Sequence, residues 1–284
     1  MSLSLGQLLV HLDATPQAMQ RLDVACRIGQ AHGCAVTALY AVTPSLLELP
    51  FPPEVGPEIA ASLRDLDDER RARVRKAFDQ SLAKQALDAG WAEVRGASVI
   101  AAFAQQAMFA DLLVLGQQDP SGVPQDGVPR DFVEDVMASS GKPALVLPYA
   151  GLPATIGETI VIAWKPTREA ARAVAAAAPL LQRARRVHIL SWSVGDAQQE
   201  DASISGDQLT LTGYLKRLGV EATWQLGGEE PSQMGELLLS RAFDLEADLL
   251  VMGCYGHSRA REWVLGGTSR TVLRSMTLPV LMAR

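Results

Sequence analysis

Short apolar runs alternate with longer stretches of helical spacing along the whole chain. In the first half the runs are Leu8–Leu12, Ala35–Val42, Ala92–Val94, Leu112–Leu115 and Ala144–Leu147. In the second they are Ile160–Trp164, Val187–Trp192, Ala222–Leu226, Leu249–Met252 and Val280–Met282. Runs without polar alternation predict strands covered on both faces, hence a mostly parallel sheet. Between them, Arg168–Arg183 carries Ala171, Val174, Ala175, Ala178 and Leu181 at helical spacing. Thr167 is its expected N-cap, with Glu169 as an acid in the first turn. The segment Glu58–Ala89, rich in Arg, Asp and Glu, predicts a long, largely solvated helix. Strand alternating with helix five times in each half predicts two tandem doubly wound α/β domains.

The halves are copies of one another. ADLLVLGQQD at 110–119 reappears as ADLLVMGCYG at 247–256, and KPALVLP at 142–148 as LPVLMAR at 278–284. LLVHLD at 8–13 corresponds to IVIAWK at 160–165. A repeat this long signals duplicated domains rather than a solenoid. The expected domains are 1–150 and 155–284, divided where Gly and Pro cluster in YAGLPATIGE.

Composition narrows the class. With 284 residues, 48% hydrophobic and 20% charged, the chain suits two globular domains with real cores. Three cysteines are too few and too odd for a disulfide framework. No apolar stretch is long enough to span a membrane, and the N-terminus lacks a basic leader, so a cytoplasmic protein is expected. The formal charge is −6. Residues 1–150 hold 12 basic and 18 acidic side chains and residues 151–284 hold 14 of each, a balance that does not favour nucleic acid.

In an open parallel sheet, ligands bind beyond the carboxyl ends of the strands. After Met252 the chain runs Gly253-Cys-Tyr-Gly256-His257-Ser-Arg259-Ala-Arg261-Glu-Trp-Val-Leu-Gly266-Gly267-Thr268-Ser269. Glycines leaving a strand let backbone approach a ligand, or else only permit a tight turn. A Gly-Gly-Thr-Ser group opening the next helix offers free N–H groups to a phosphate. Thr268 or Ser269 supplies a hydroxyl to a phosphate or a cap to the helix. His257 is either a phosphate contact or a hydrated loop histidine, and Cys254 is oxidisable if exposed. The four histidines have no metal-ligand spacing, and no Walker loop, G-x-S-x-G elbow or strand-borne G-x-G-x-x-G is present.

Gly253, Gly256 and Gly266 stand at G-x2-G-x9-G spacing after a fourth strand, and in this the sequence resembles the universal stress proteins. The resemblance covers both halves, so the chain looks like a tandem member. It implies five-stranded parallel sheets with helices on both faces, frequent dimerisation, and ATP, with Mg, bound in some members. The two domains are then expected to pack as a pseudo-dimer, with homodimerisation open. The site it implies comprises Ala163, Lys165, Gly253, Gly256, His257, Arg259, Gly266, Gly267, Thr268 and Ser269.

The sequence departs from the pattern at two places. Gly267 stands where the family has Ser or Thr, and Lys165 where it has an acid near adenine and ribose. The first half keeps that acid as Asp13, or uses Asp13 to cap the helix starting near Pro16. It has lost the later glycines, with Arg130 and Asp131 in their place, and is expected not to bind nucleotide. The expected function is a stress-linked binding or signalling module taking an adenine nucleotide in its C-terminal domain, with no dedicated catalytic residues. A protein-interaction module without nucleotide, a slow ATPase and a site for another small anion stay open.

Overall fold

The computed structural model describes residues 4–49, 56–85, 88–96, 98–119, 127–192, 207–227, 233–254 and 267–284. They fall into two units, Ser4–Lys142 and Pro143–Arg284. In the first, the elements are β1 (Gln7–Leu12), α1 (Gln17–His32), β2 (Ala35–Tyr40), α2 (Ser45–Glu48), α3 (Pro57–Gln85), β3 (Gly90–Glu93), α4 (Val99–Ala107), β4 (Leu112–Gly116) and α5 (Phe132–Ser140). The second has β5 (Ala144–Leu147), β6 (Thr159–Ala163), α6 (Arg168–Leu181), β7 (Arg186–Ser191), α7 (Leu211–Arg217), β8 (Thr223–Leu226), α8 (Met234–Asp244), β9 (Leu249–Gly253), α9 (Gly267–Ser275) and β10 (Val280–Ala283).

All ten predicted strands form, and the doubly wound α/β class is as expected. The N-terminal unit orders its parallel strands β3-β2-β1-β4. The C-terminal unit runs β5-β10-β9-β6-β7-β8, parallel except for β5. That strand pairs antiparallel with β10, Val146 opposite Val280, so by its contacts it lies with the second unit although the repeat counts it with the first. In both units the first strand separates the second from the fourth. The connections therefore change direction between β1 and β4, and between β6 and β9, which opens a crevice at the carboxyl ends there.

Strand composition matches this placement. Leu112–Leu115 and Leu249–Met252 are buried, as both-face cover requires. Helix α6 is capped by Thr167, whose hydroxyl accepts from Ala170 N at 3.2 Å. Its buried stripe is Ala170, Ala173, Val174, Ala177, Ala178 and Leu181, whereas Ala171 and Ala175 are exposed. In so alanine-rich a helix several stripes have nearly the same apolarity, so spacing alone picked a neighbouring one. Helix α3 is long and solvated as expected, and is tied to the β2–β3 edge by aromatic contacts. Trp91 meets Tyr40 at 5.9 Å and Phe78 at 5.1 Å, with Arg75 over both Phe78 and Trp91.

The acid of the repeated ADLLV stretch has a structural task at the other end of the sheet. Asp248 accepts from Gly157, Glu158 and Thr159 N–H groups at 2.9–3.0 Å and from the Thr155 hydroxyl at 2.7 Å. Asp111 does the same for Gly6 and Gln7 at 2.7 and 3.0 Å. Each carboxylate thereby pins the start of the first strand to the start of the fourth. Asp248→Ala leaves several donors unpaired, and a loss of about 2–3 kcal/mol is expected in urea denaturation, charge-assisted bonds being the strong ones.

Candidate functional site

The C-terminal crevice starts from β6 and β9. Ala163 pairs with Met252, which places Ala163–Lys165 beside Gly253 at adjoining carboxyl ends. Lys165 is exposed, and its carbonyl accepts from Thr167 N at 2.7 Å. Gly253 is in ordinary extended backbone, not a tight turn. A Cβ there would lie 2.5 Å from Ala170 N and 2.7 Å from Glu169 C. Its missing side chain therefore admits the first turn of α6 onto β9, a close helix–strand approach that spacing could not distinguish from ligand contact. Glu169 is buried in that turn. Its burial favours the neutral acid, yet Arg168 Nε at 2.5 Å and nearby donors hold it below the ordinary carboxylate value.

Helix α9 begins at Gly267, so Thr268 and Ser269 lie in its first turn and neither is the N-cap. The N–H groups of that turn have no partner within the helix. Among the described residues nothing lies within 4 Å of a Cβ at Gly267, while Ser269 is buried. Gly235 of α8 packs against the same turn, a Cβ there being 2.7 Å from Thr271 Cβ and 3.0 Å from Thr268 O. Cys254 is buried and not open to oxidation. Its thiol donates to Ala283 O at 3.3 Å, and burial pushes its pKa up to about 12. Gly256, His257, Arg259, Arg261 and Gly266 lie outside the described residues.

The corresponding place in the N-terminal unit is filled by side chains. Asp13 and Arg21 are 2% and 3% exposed and form an ion pair at 2.6 Å. Arg21 Nε donates to His11 O at 3.0 Å, and its guanidinium occupies the space a Cβ at Gly116 would need. Asp13 also accepts from the Thr15 N–H at 2.8 Å and from the Thr15 hydroxyl. It does not cap α1, whose N-cap position is Pro16, without a side-chain cap. Burial alone would raise the Asp13 pKa; Arg21 above all, then His11 and Thr15, keep it below the ordinary value. His11 Nε2 lies 2.9 Å from Ala41 O, and since a carbonyl only accepts, that nitrogen carries the proton. Burial drives the His11 pKa down to about 4, against the pull of Asp13. Its ring stacks at 4.2 Å on Phe132, the first residue of α5.

Aligned without gaps on LLVHLD and IVIAWK, His11 corresponds to Ala163, Asp13 to Lys165 and Arg21 to Ala173. Aligned on Pro143 and Pro279, Phe132 corresponds to Thr268. The imidazole, guanidinium and phenyl group that fill the N-terminal crevice thus have two alanines and a threonine as counterparts. Sequence reasoning missed this filling. Its visible trace is Arg21, a charge within the buried stripe Ala18, Leu22, Ala25 of α1. Among the described residues no group of three or more His, Cys, Asp or Glu could hold a metal ion, and no helix is long and apolar enough to cross a membrane.

A mostly parallel α/β sheet with its crevice at the first and fourth strands is the architecture of the doubly wound α/β class. Residues 158–284, just under half of the chain, match the universal stress protein family. A stretch of 41 residues is 51% identical to a universal stress protein of Synechocystis, spanning 14% of this chain and 14% of that one. The fold resembles that of a universal stress protein from Archaeoglobus fulgidus, with TM-score 0.68 and 13% identity over 98% of this chain and 96% of that chain. It also resembles a putative universal stress protein from Pseudomonas aeruginosa, with TM-score 0.53 and 16% identity over 98% and 92%.

Proposed function

We propose that the chain is a tandem universal stress protein, a binding and signalling module of the stress response, that takes an adenine nucleotide in its C-terminal domain. The observation that carries this reading is the contrast between the crevices. His11, Arg21 and Phe132 fill one; Ala163, Ala173 and Thr268 are their counterparts in the sequence repeat. Phosphates would be held by the N–H groups of Gly267, Thr268 and Ser269 and by the loop bearing Gly256, His257, Arg259 and Gly266, with Mg as counter-charge for ATP. The base and ribose would lie along Ala163–Lys165. The N-terminal domain is the non-binding copy. Binding rather than turnover is favoured because Glu169, the carboxylate beside Gly253, is already engaged by Arg168. Lys165 and Gly267 favour the second reading, a protein-interaction module without nucleotide.

The test is a thermal-shift titration with ATP, ADP and AMP, with magnesium. At 100 times the dissociation constant, a native-state ligand stabilises by about 2.7 kcal/mol. A shift is expected, and Thr268→Phe, which installs the N-terminal residue, is expected to abolish it with the unliganded melting temperature kept. No shift with any nucleotide would leave the protein-interaction reading.

A further inference from the structure

Helix α3 has 29 residues, so at its rise per residue it is about 43 Å long, far longer than the strands beside it. It docks through Ala60, Val74 and Phe78, which are buried, and the Phe78 ring meets Trp91 of β3. Outside that face, Ile59, Ser62, Leu66, Glu69, Arg73 and Lys76 follow one another at alternating spacings of three and four, and all are exposed. The same spacing continues to Gln80 and Ala83, also exposed. This is the spacing of a seam between two helices. Ile59 and Leu66 are 59% and 54% exposed, large apolar side chains that the chain itself leaves in water.

Charge is divided along the same helix. Residues 57–69 hold five acidic side chains and one basic, and residues 70–85 hold six basic and one acidic. The helix dipole favours such a bias only in the first and last turns, so it does not account for the change of sign between Glu69 and Arg73 at mid-helix. Within α3, Arg70, Arg71 and Arg75 pair with Asp67, Asp68 and Asp79, whereas among the described residues no ion pair joins Glu69 to Arg73. A helix acidic in one half and basic in the other complements an antiparallel copy of itself. A parallel copy would set like charges side by side.

We infer that the outer face of α3 is a self-association surface, on which a second copy of this chain docks antiparallel about a two-fold axis beside Arg71. In that register Glu69 of each copy faces Arg73 of the other, and Ser62 faces Gln80. Leu66 faces the methylene stem of Lys76, and Ile59 faces the methyl group of Ala83. Each charge on the seam then meets its opposite or stays at the solvent rim, and each large apolar side chain meets carbon.

Sedimentation equilibrium of the full chain, without nucleotide, tests this. Concentration-dependent dimers are expected, weakened at high salt because exposed charges are screened. Glu69→Arg and Arg73→Glu each set two like-charge contacts across the axis, and each is expected to weaken the dimer about tenfold or more. An equimolar mixture of the two variants is expected to restore it, since each then offers the charge the other lacks. Both positions are exposed, so the melting temperature is expected to hold. Leu66→Ser, an uncharged change on the same face, is expected to weaken the dimer about threefold or more and serves if a charge variant fails to fold. A chain monomeric at every concentration, a dimer indifferent to these variants, or a mixture no better than either charge variant alone would overturn the inference.

Discussion

Asp13→Ala is expected to destabilise the protein by about 3–5 kcal/mol, because it strands the buried guanidinium of Arg21. The pair is almost fully excluded from water, and Arg21 makes its remaining bond to the His11 carbonyl. The double variant Asp13→Ala/Arg21→Met removes both charges and is expected to recover at least half of the loss, since a hydrophobic replacement of a buried pair is often close to neutral. A single-variant loss under about 1 kcal/mol in urea denaturation would mean that the pair is solvated. The same cluster sets the acid limit of stability. His11 is held neutral, its pKa about 4 in the fold against an ordinary 6.5. Between those values the unfolded chain takes up a proton that the fold refuses, so stability is lost as pH falls through that window, by roughly 3 kcal/mol in total. Asp13, whose pKa is depressed, contributes stability that is lost only below the ordinary carboxylate range. His11→Leu is expected to flatten the slope between pH 6.5 and 4, and an unchanged slope would place the titrating group elsewhere.

Gly253→Val is the second large effect, a loss of about 3 kcal/mol. Its first new carbon would sit within van der Waals distance of Ala170 N and Glu169 C, which are backbone atoms of a capped helix and cannot swing aside. Helix α6 must then lift from β9. Gly267→Ala is the control. It adds a carbon that meets no described residue at a helical position and is expected to be neutral or slightly stabilising. Equal losses for the two variants would refute the packing role assigned to Gly253.

Strand positions were legible because both-face burial writes itself as unbroken apolar runs, and α6 was legible through Thr167. The repeat and the glycine spacing also pointed to the family that residues 158–284 match. Three features were not legible. The pairing of β5 with β10 joins strands remote in sequence, and an apolar run does not say which neighbour it takes. The task of Gly253 depends on where α6 lands, which no local spacing encodes. The filling of the N-terminal crevice joins His11, Arg21 and Phe132 from β1, α1 and α5, so it exists only once the sheet brings those elements together.

The proposed function requires one open crevice and one filled crevice per chain. Isothermal titration of the intact protein with ATP and magnesium tests it by stoichiometry. One nucleotide per chain, lost in Thr268→Phe and retained in His11→Leu, is the predicted result. Two nucleotides per chain, or one that survives Thr268→Phe in a folded protein, would contradict it.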